Sequence, residues 1–102
     1  EGGRLLGYSL VLLRRGTARA RLYSIAVDPA ARGRGLGRRL LAASELAAAA
    51  AGCTGMVLEV RQDNPAANAL YQDRGYRRVA ALPGYYEDGG DGWRYVRDFA
   101  GP

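Results

Sequence analysis

The sequence contains no histidine and no lysine, and its single cysteine is Cys53. Without imidazoles, and with one thiol, the usual four-ligand zinc sites are excluded, and no metal is expected. One thiol cannot close an internal disulfide, which suits a reducing, cytoplasmic setting and a structural role for Cys53. Long apolar runs are also missing. The stretch Leu10-Val11-Leu12-Leu13 is short and is followed by Arg14 and Arg15, so it reads as neither a signal peptide nor a membrane span. The absence of lysine excludes a P-loop, which places a lysine on the phosphates and a Ser or Thr on magnesium.

What is present is an arginine-, alanine- and glycine-rich chain of 102 residues, enough for one domain. All 15 basic residues are arginines, which reads as coding bias more than function. With 48% apolar residues a core can form, and the net charge of +5 suits an anionic ligand or nucleic acid.

The chain is organised around Arg32-Gly33-Arg34-Gly35-Leu36-Gly37. This stretch follows the strand-like run Leu22 to Val27 and opens an Ala-rich helix, Leu36 to Ala51. The first amides of a helix lack internal partners and carry the positive end of its dipole, and glycines let a phosphate approach the backbone. Arg32, Arg34, Arg38 and Arg39 add fixed positive charge. A phosphate-bearing ligand is therefore expected, although an Arg/Gly turn ahead of a helix is also a plain structural feature. The spacing Gly-x-Gly-x-Gly does not match the dinucleotide fingerprint Gly-x-Gly-x-x-Gly.

Along the chain, Arg4 to Leu13 reads as a strand, Arg14 to Thr17 as a hairpin turn and Ala18 to Val27 as the return strand. Arg19 and Arg21 alternate with Ala18, Ala20 and Leu22, giving one wet face. Strict alternation puts Tyr23, Ile25 and Val27 on that same face, which implies either deeper burial or a bulge. In the helix, Leu36, Leu40, Ala43 and Ala47 form one stripe, with Arg38, Arg39 and Glu45 largely off it. Gly52 is a stop signal. Met56 to Arg61 alternates as a strand. Asn64 caps a helix with Pro65 in its first turn, ending near Arg74 at Gly75. Tyr76 to Leu82 and Trp93 to Phe99 are strands around a Gly/Asp-rich loop. The expected fold is an α/β mixed sheet with order ββαβαββ, two helices and a parallel strand pair.

Arg32, Gly35 and Gly37 fill the (Gln/Arg)-x-x-Gly-x-(Gly/Ala) loop of the GNAT superfamily of N-acetyltransferases, which this chain resembles. Leu58-Glu59-Val60-Arg61, Asn64, Ala69-Leu70-Tyr71 and Gly75-Tyr76 resemble the superfamily's second motif. Ile25 to Pro29, Leu58 to Arg61 and Tyr85-Tyr86 are most similar to RimI-type protein N-terminal acetyltransferases. The resemblance runs from Ser24 to about Asp91 and implies a GNAT-like fold that binds acetyl-CoA between two parallel strands. It implies that backbone at Ile25, Ala26 and Val27 pairs with pantetheine. It further implies that residues Gly33, Arg34, Gly35, Leu36, Gly37 and Arg38, with Arg32, hold the pyrophosphate and that Asn64 bonds the pantetheine arm. Asn64 can serve as N-cap at the same time.

Acetyl transfer needs a proton taken from the amine and one given to the thiolate. Tyr71 is the candidate acid. It lies on the same helix face as Asn64, roughly 10 Å along the axis. A tyrosine packed in the core beside Leu70 is the structural alternative. Glu59 is the candidate base, with partial burial expected to raise its pKa. The alternatives are a solvated strand glutamate paired with an arginine, and a water chain as base. Tyr85 and Tyr86 are peptide-contact candidates or amphipathic loop anchors. The expected acceptor is a protein or peptide N-terminus. Other readings are a small-molecule amine acceptor, a CoA-binding module without catalysis and, last, an arginine-driven nucleic-acid binder. The resemblance also implies a first strand and two helices ahead of the hairpin, and these are expected to be missing from the sequence as it stands. That leaves the strand Arg4 to Leu13 as an apolar sheet edge able to pair with another copy, as a homo-oligomer.

Overall fold

The computed structural model describes the backbone of residues 7–12, 19–27 and 35–99, and the side chains of residues 19–22 and 35–99. Its elements are β1 (Gly7–Leu12), β2 (Arg19–Val27), α1 (Leu36–Ala50), β3 (Gly55–Arg61), α2 (Pro65–Asp73), β4 (Arg77–Leu82) and β5 (Gly92–Asp98). The order ββαβαββ is the one expected. The five strands form one sheet in the order β1-β2-β3-β5-β4, with β1 at an edge. The β2–β3 pair is parallel and the other three pairs are antiparallel. Among the described residues no helix is long and apolar enough to cross a membrane.

The mismatch in β2 is a bulge. Leu10 pairs with Ser24 while Val11 pairs with Leu22, so Tyr23 is the extra residue. Before the bulge the alternation holds, with Ala20 and Leu22 buried and Arg19 exposed. In β3 the same alternation buries Met56, Leu58 and Val60 toward the helices. The opposite face carries Val57, Glu59 and Arg61.

The expected stripe on α1 is corrected by one residue. Ala43 and Ala47 are exposed; the buried residues are Leu41, Ser44, Glu45 and Ala48. A helix made almost wholly of Leu and Ala gives a periodicity with little phase information, so the polar residues decided the reading, wrongly. Both are satisfied inside. The Ser44 hydroxyl donates to the Leu40 carbonyl at 2.8 Å. Glu45 accepts from Arg74 Nε and Nη2 at 3.0 and 2.7 Å, from Tyr76 Oη at 2.8 Å, and pairs with Arg97 Nη1 at 2.8 Å. One carboxylate thus ties α1 to the end of α2, to the start of β4 and to β5.

Both helices end in the same way. Gly52 and Gly75 each have φ 92°. The amides of Cys53 and Gly52 reach back to Ala48 and Ala49, and those of Tyr76 and Gly75 to Tyr71 and Gln72. These are Schellman motifs, in which the left-handed residue must be cheap for the backbone, hence glycine. The accompanying contact between flanking side chains brings Tyr76 edge-on to Tyr71, with ring centroids 5.8 Å apart. Cys53 is buried in the core, as a structural thiol should be.

Candidate functional site

The sheet contains a gap. The β2–β3 ladder runs only from Arg19–Gly55 to Leu22–Leu58. Beyond it β2 continues to Val27, paired to β1, and β3 continues to Arg61, paired to β5. The backbone of Ile25, Ala26 and Val27 therefore has strand partners on one side only among the described residues. Because α1 must run back so that Gly55 can lie beside Arg19, its N-terminus belongs to the open end of the gap. The N-terminus of α2 follows the end of β3 by three residues, Gln62 to Asn64. Carboxyl ends of parallel strands with helix N-termini beside them are the usual place for a ligand in α/β sheets.

At α1 the residue before the helix is Gly35, at φ 71°, and no side chain caps the first turn. A left-handed cap without a side chain leaves the first amides open to an anion, and Leu36 and Gly37 supply two of them. Arg38 is exposed and ion-paired with Asp73 at the end of α2. Arg32, Gly33 and Arg34 lie outside the described residues. At α2, Asn64 is the N-cap, its Oδ1 accepting from the Ala67 amide at 3.1 Å.

A cavity of about 320 Å³, lined by Arg21, Leu22, Glu59, Tyr85, Tyr86 and Arg94, lies beside the gap. Glu59 lines it, with its side chain 9% exposed. Arg94, directly opposite on β5, donates Nε to Glu59 Oε2 at 2.8 Å. Arg21 bonds the other oxygen from β2. The expected rise in the Glu59 pKa is overturned. Burial does push it up, but the bonds and charges of Arg21 and Arg94 outweigh burial and hold the carboxyl below its ordinary range. The expected alternative, a glutamate paired with arginine, describes its partners; solvated it is not.

Tyr71 does pack in the core. It is 8% exposed, tilted against Tyr95 with centroids 6.2 Å apart and edge-on to Tyr76. Its hydroxyl bonds no described residue, yet no buried side-chain nitrogen or oxygen lacks a partner among those residues. The ring is thus buried and the hydroxyl meets solvent. Burial, and then the nearby Tyr86 phenol, raise its pKa, so it stays protonated at neutral pH.

Tyr85 and Tyr86 meet edge-on at 5.0 Å in the β4–β5 loop. Arg61 fixes that loop. Its guanidinium forks onto Asp88 at 2.8 and 3.1 Å and lies 4.9 Å from the Tyr86 ring centre. Gln62 N also donates to the Asp91 carbonyl at 3.0 Å.

Sequence reasoning missed the network beneath. The Asn68 Nδ2 donates to the carbonyls of Arg61 and Asn64 at 3.0 and 2.7 Å. Its Oδ1 accepts from Tyr95 Oη at 2.7 Å. Gln72 and Arg78 each donate to that hydroxyl at 3.1 Å. Asn68 thereby fixes the end of β3 to the start of α2, between Glu59 and Asn64. Its one sequence signal is its position four residues after the cap, one turn along the same face.

Comparison with known proteins agrees with this architecture. The model of the acetyltransferase (GNAT) family matches residues 1–76. The chain is 45% identical over 106 residues to the N-alpha-acetyltransferase RimI of Mycobacterium tuberculosis, covering 100% of this chain and 65% of that protein. The ribosomal-protein-S18-alanine N-acetyltransferase of Escherichia coli superposes with TM-score 0.88 at 30% identity, over 100% of this chain and 66% of that one. Ard1 of Thermoplasma volcanium superposes with TM-score 0.89 at 29% identity, over 97% and 66%. The chain spans at most about two thirds of the length of these relatives. With the family model covering most of its length, and the split parallel pair between two helix N-termini, the chain belongs to the GNAT family of acetyltransferases.

Proposed function

We propose that this domain transfers an acetyl group from acetyl-CoA to a primary amine, the N-terminus of a protein or peptide. The observation that carries the reading is the gap between β2 and β3, with an uncapped helix N-terminus at its open end and a cavity lined by the Glu59 carboxylate beside it. Similarity to an N-alpha-acetyltransferase and to an S18-alanine N-acetyltransferase supports the choice of acceptor.

The residues present fit acetyl-CoA. The amides of Leu36 and Gly37, with Arg38 and residues 32–35, would hold the pyrophosphate. The side of the β2 backbone turned away from β1 at Ile25, Ala26 and Val27 would pair with the pantetheine arm, and Asn64 would bond it from α2. Acetyl-CoA supplies the acetyl group as a thioester. The amine nitrogen forms the new C–N bond as the C–S bond breaks, so no covalent enzyme intermediate is needed. The amine proton leaves near Glu59. With its pKa held low, Glu59 stays ionised and stabilises the ammonium, while water carries the proton away to solvent. Tyr71, protonated at neutral pH, gives its hydroxyl proton to the departing thiolate. Tyr85 and Tyr86 contact the acceptor backbone.

The test is release of free thiol from acetyl-CoA with N-terminal peptides and small amines, in wild type and Tyr71→Phe. Phe keeps the ring packing and removes the hydroxyl. It is expected to lower kcat by about 10²–10⁴-fold with little change in KM for acetyl-CoA. Wild-type turnover in Tyr71→Phe removes the acid from Tyr71, and no thiol release with any amine removes the reading.

A further inference from the structure

Among the described residues lining the cavity, two guanidiniums, Arg21 and Arg94, flank one carboxylate, Glu59. A bare ammonium entering there meets two guanidiniums and one carboxylate. Among the described residues, the Arg94 Nε donates to Glu59, and its terminal nitrogens donate to none. Its side chain remains 36% exposed. Arg94 lines the cavity and is pinned by one nitrogen to a nearly buried carboxylate, which leaves its two terminal nitrogens to a further partner. That geometry suits bidentate binding of a second carboxylate. The other lining residues are Leu22 and the tyrosines Tyr85 and Tyr86, uncharged groups that do not oppose an anion. The Tyr86 ring is itself held by Arg61.

We infer that Arg94 is a specificity-determining residue that selects acceptors carrying a carboxylate on the same residue as the reacting amine, a peptide whose first residue is Asp or Glu. The inference rests on the proposed acetyl-transfer reading. An α-amine directed at Glu59 brings its own residue's side chain close to a guanidinium bonded to that same Glu59. An acidic first residue neutralises the excess positive charge, and a basic first residue increases it.

The experiment measures dissociation constants by calorimetry, in the presence of CoA, for three peptides identical except for a first residue of Asp, Ala or Lys. Wild type is compared with Arg94→Gln and Arg94→Lys, and thiol release is followed in parallel. The Asp peptide is expected to bind about tenfold more tightly than the Ala peptide in wild type, with the Lys peptide weakest. In Arg94→Gln the Asp-to-Ala ratio falls to near one, and Arg94→Lys, which keeps the charge without the fork, lies between. Ratios cancel any common effect on Glu59. Equal affinities for Asp and Ala peptides in wild type overturn the inference, as does an unchanged ratio in a folded Arg94→Gln. If that variant does not fold, the wild-type ratio and Arg94→Lys decide. An Asp preference in binding without thiol release defeats the activity reading and leaves Arg94 as an anion-selecting residue. Thiol release with equal affinities does the reverse.

Discussion

Glu45→Ala is expected to destabilise the domain by about 2–3 kcal/mol. The carboxylate is 6% exposed and receives Arg74, Arg97 and the Tyr76 hydroxyl. Removing one partner of a buried ion pair typically costs about 3–5 kcal/mol, because the remaining charge is stranded. Here the stranded charges are arginines that keep 32% and 33% of their side-chain surface in water. They rehydrate in part, which brings the figure down. Alanine's better helix propensity offsets only about half a kcal/mol. For a domain near this size each kcal/mol moves Tm by about 4–8 °C, so a loss of about 10–20 °C is expected. Tyr76→Phe leaves the ion pairs in place and loses one hydrogen bond, costing about 1 kcal/mol. In the double variant the two effects are less than additive, since the hydroxyl's partner is already gone. Urea unfolding of the four proteins measures all of this. A Glu45→Ala variant that melts within about 2 °C of wild type, against the 4–8 °C expected per kcal/mol, refutes the reasoning, as does full additivity.

Two further outcomes follow from the site. Because Glu59 is held below its ordinary pKa of 4.5, its ion pairs contribute stability above that value and lose it as pH falls through the lower folded value. Wild type should therefore lose Tm faster than Glu59→Gln on acidification below about pH 4.5, and Glu59→Gln should lower the rate without moving any break in the rate profile above about pH 5; a shifted break in that range contradicts the low pKa. Asn68→Ala removes the acceptor of the buried Tyr95 hydroxyl proton, while Gln72 and Arg78 still donate to that oxygen and the carbonyls of Arg61 and Asn64 keep the amides of Asn64 and Asn68. A loss of about 1–2 kcal/mol in thermal or urea unfolding is expected, and an unchanged Tm would show that water replaces the amide.

The parts of this fold that were legible in the sequence are those fixed by neighbouring residues. Asn64-Pro65 starts α2, and Gly52 and Gly75 stop the two helices, because caps are local chemistry. The alternation of Met56 to Val60 marked the buried face of β3. What depended on distant partners was not legible. The low pKa of Glu59 comes from arginines 38 and 35 positions away, brought together by strand register. Glu45 looked solvent-facing for the same reason, since its partners lie on α2, β4 and β5. The bulge at Tyr23 was visible only as a mismatch with two solutions. Tyr71 was read both as core and as acid, and a buried ring with a solvent-facing hydroxyl is compatible with both.

The central claim is that the gap beside the α1 N-terminus binds acetyl-CoA, and the most direct measurement is the melting temperature of the chain with and without it. A ligand that binds only the folded state, present at a hundredfold its Kd, stabilises by about 2.7 kcal/mol, which for a domain of this size is on the order of 10 °C. Because the pyrophosphate is held by charge, the shift should shrink as salt is added. An unchanged Tm at millimolar acetyl-CoA and low salt would contradict the account.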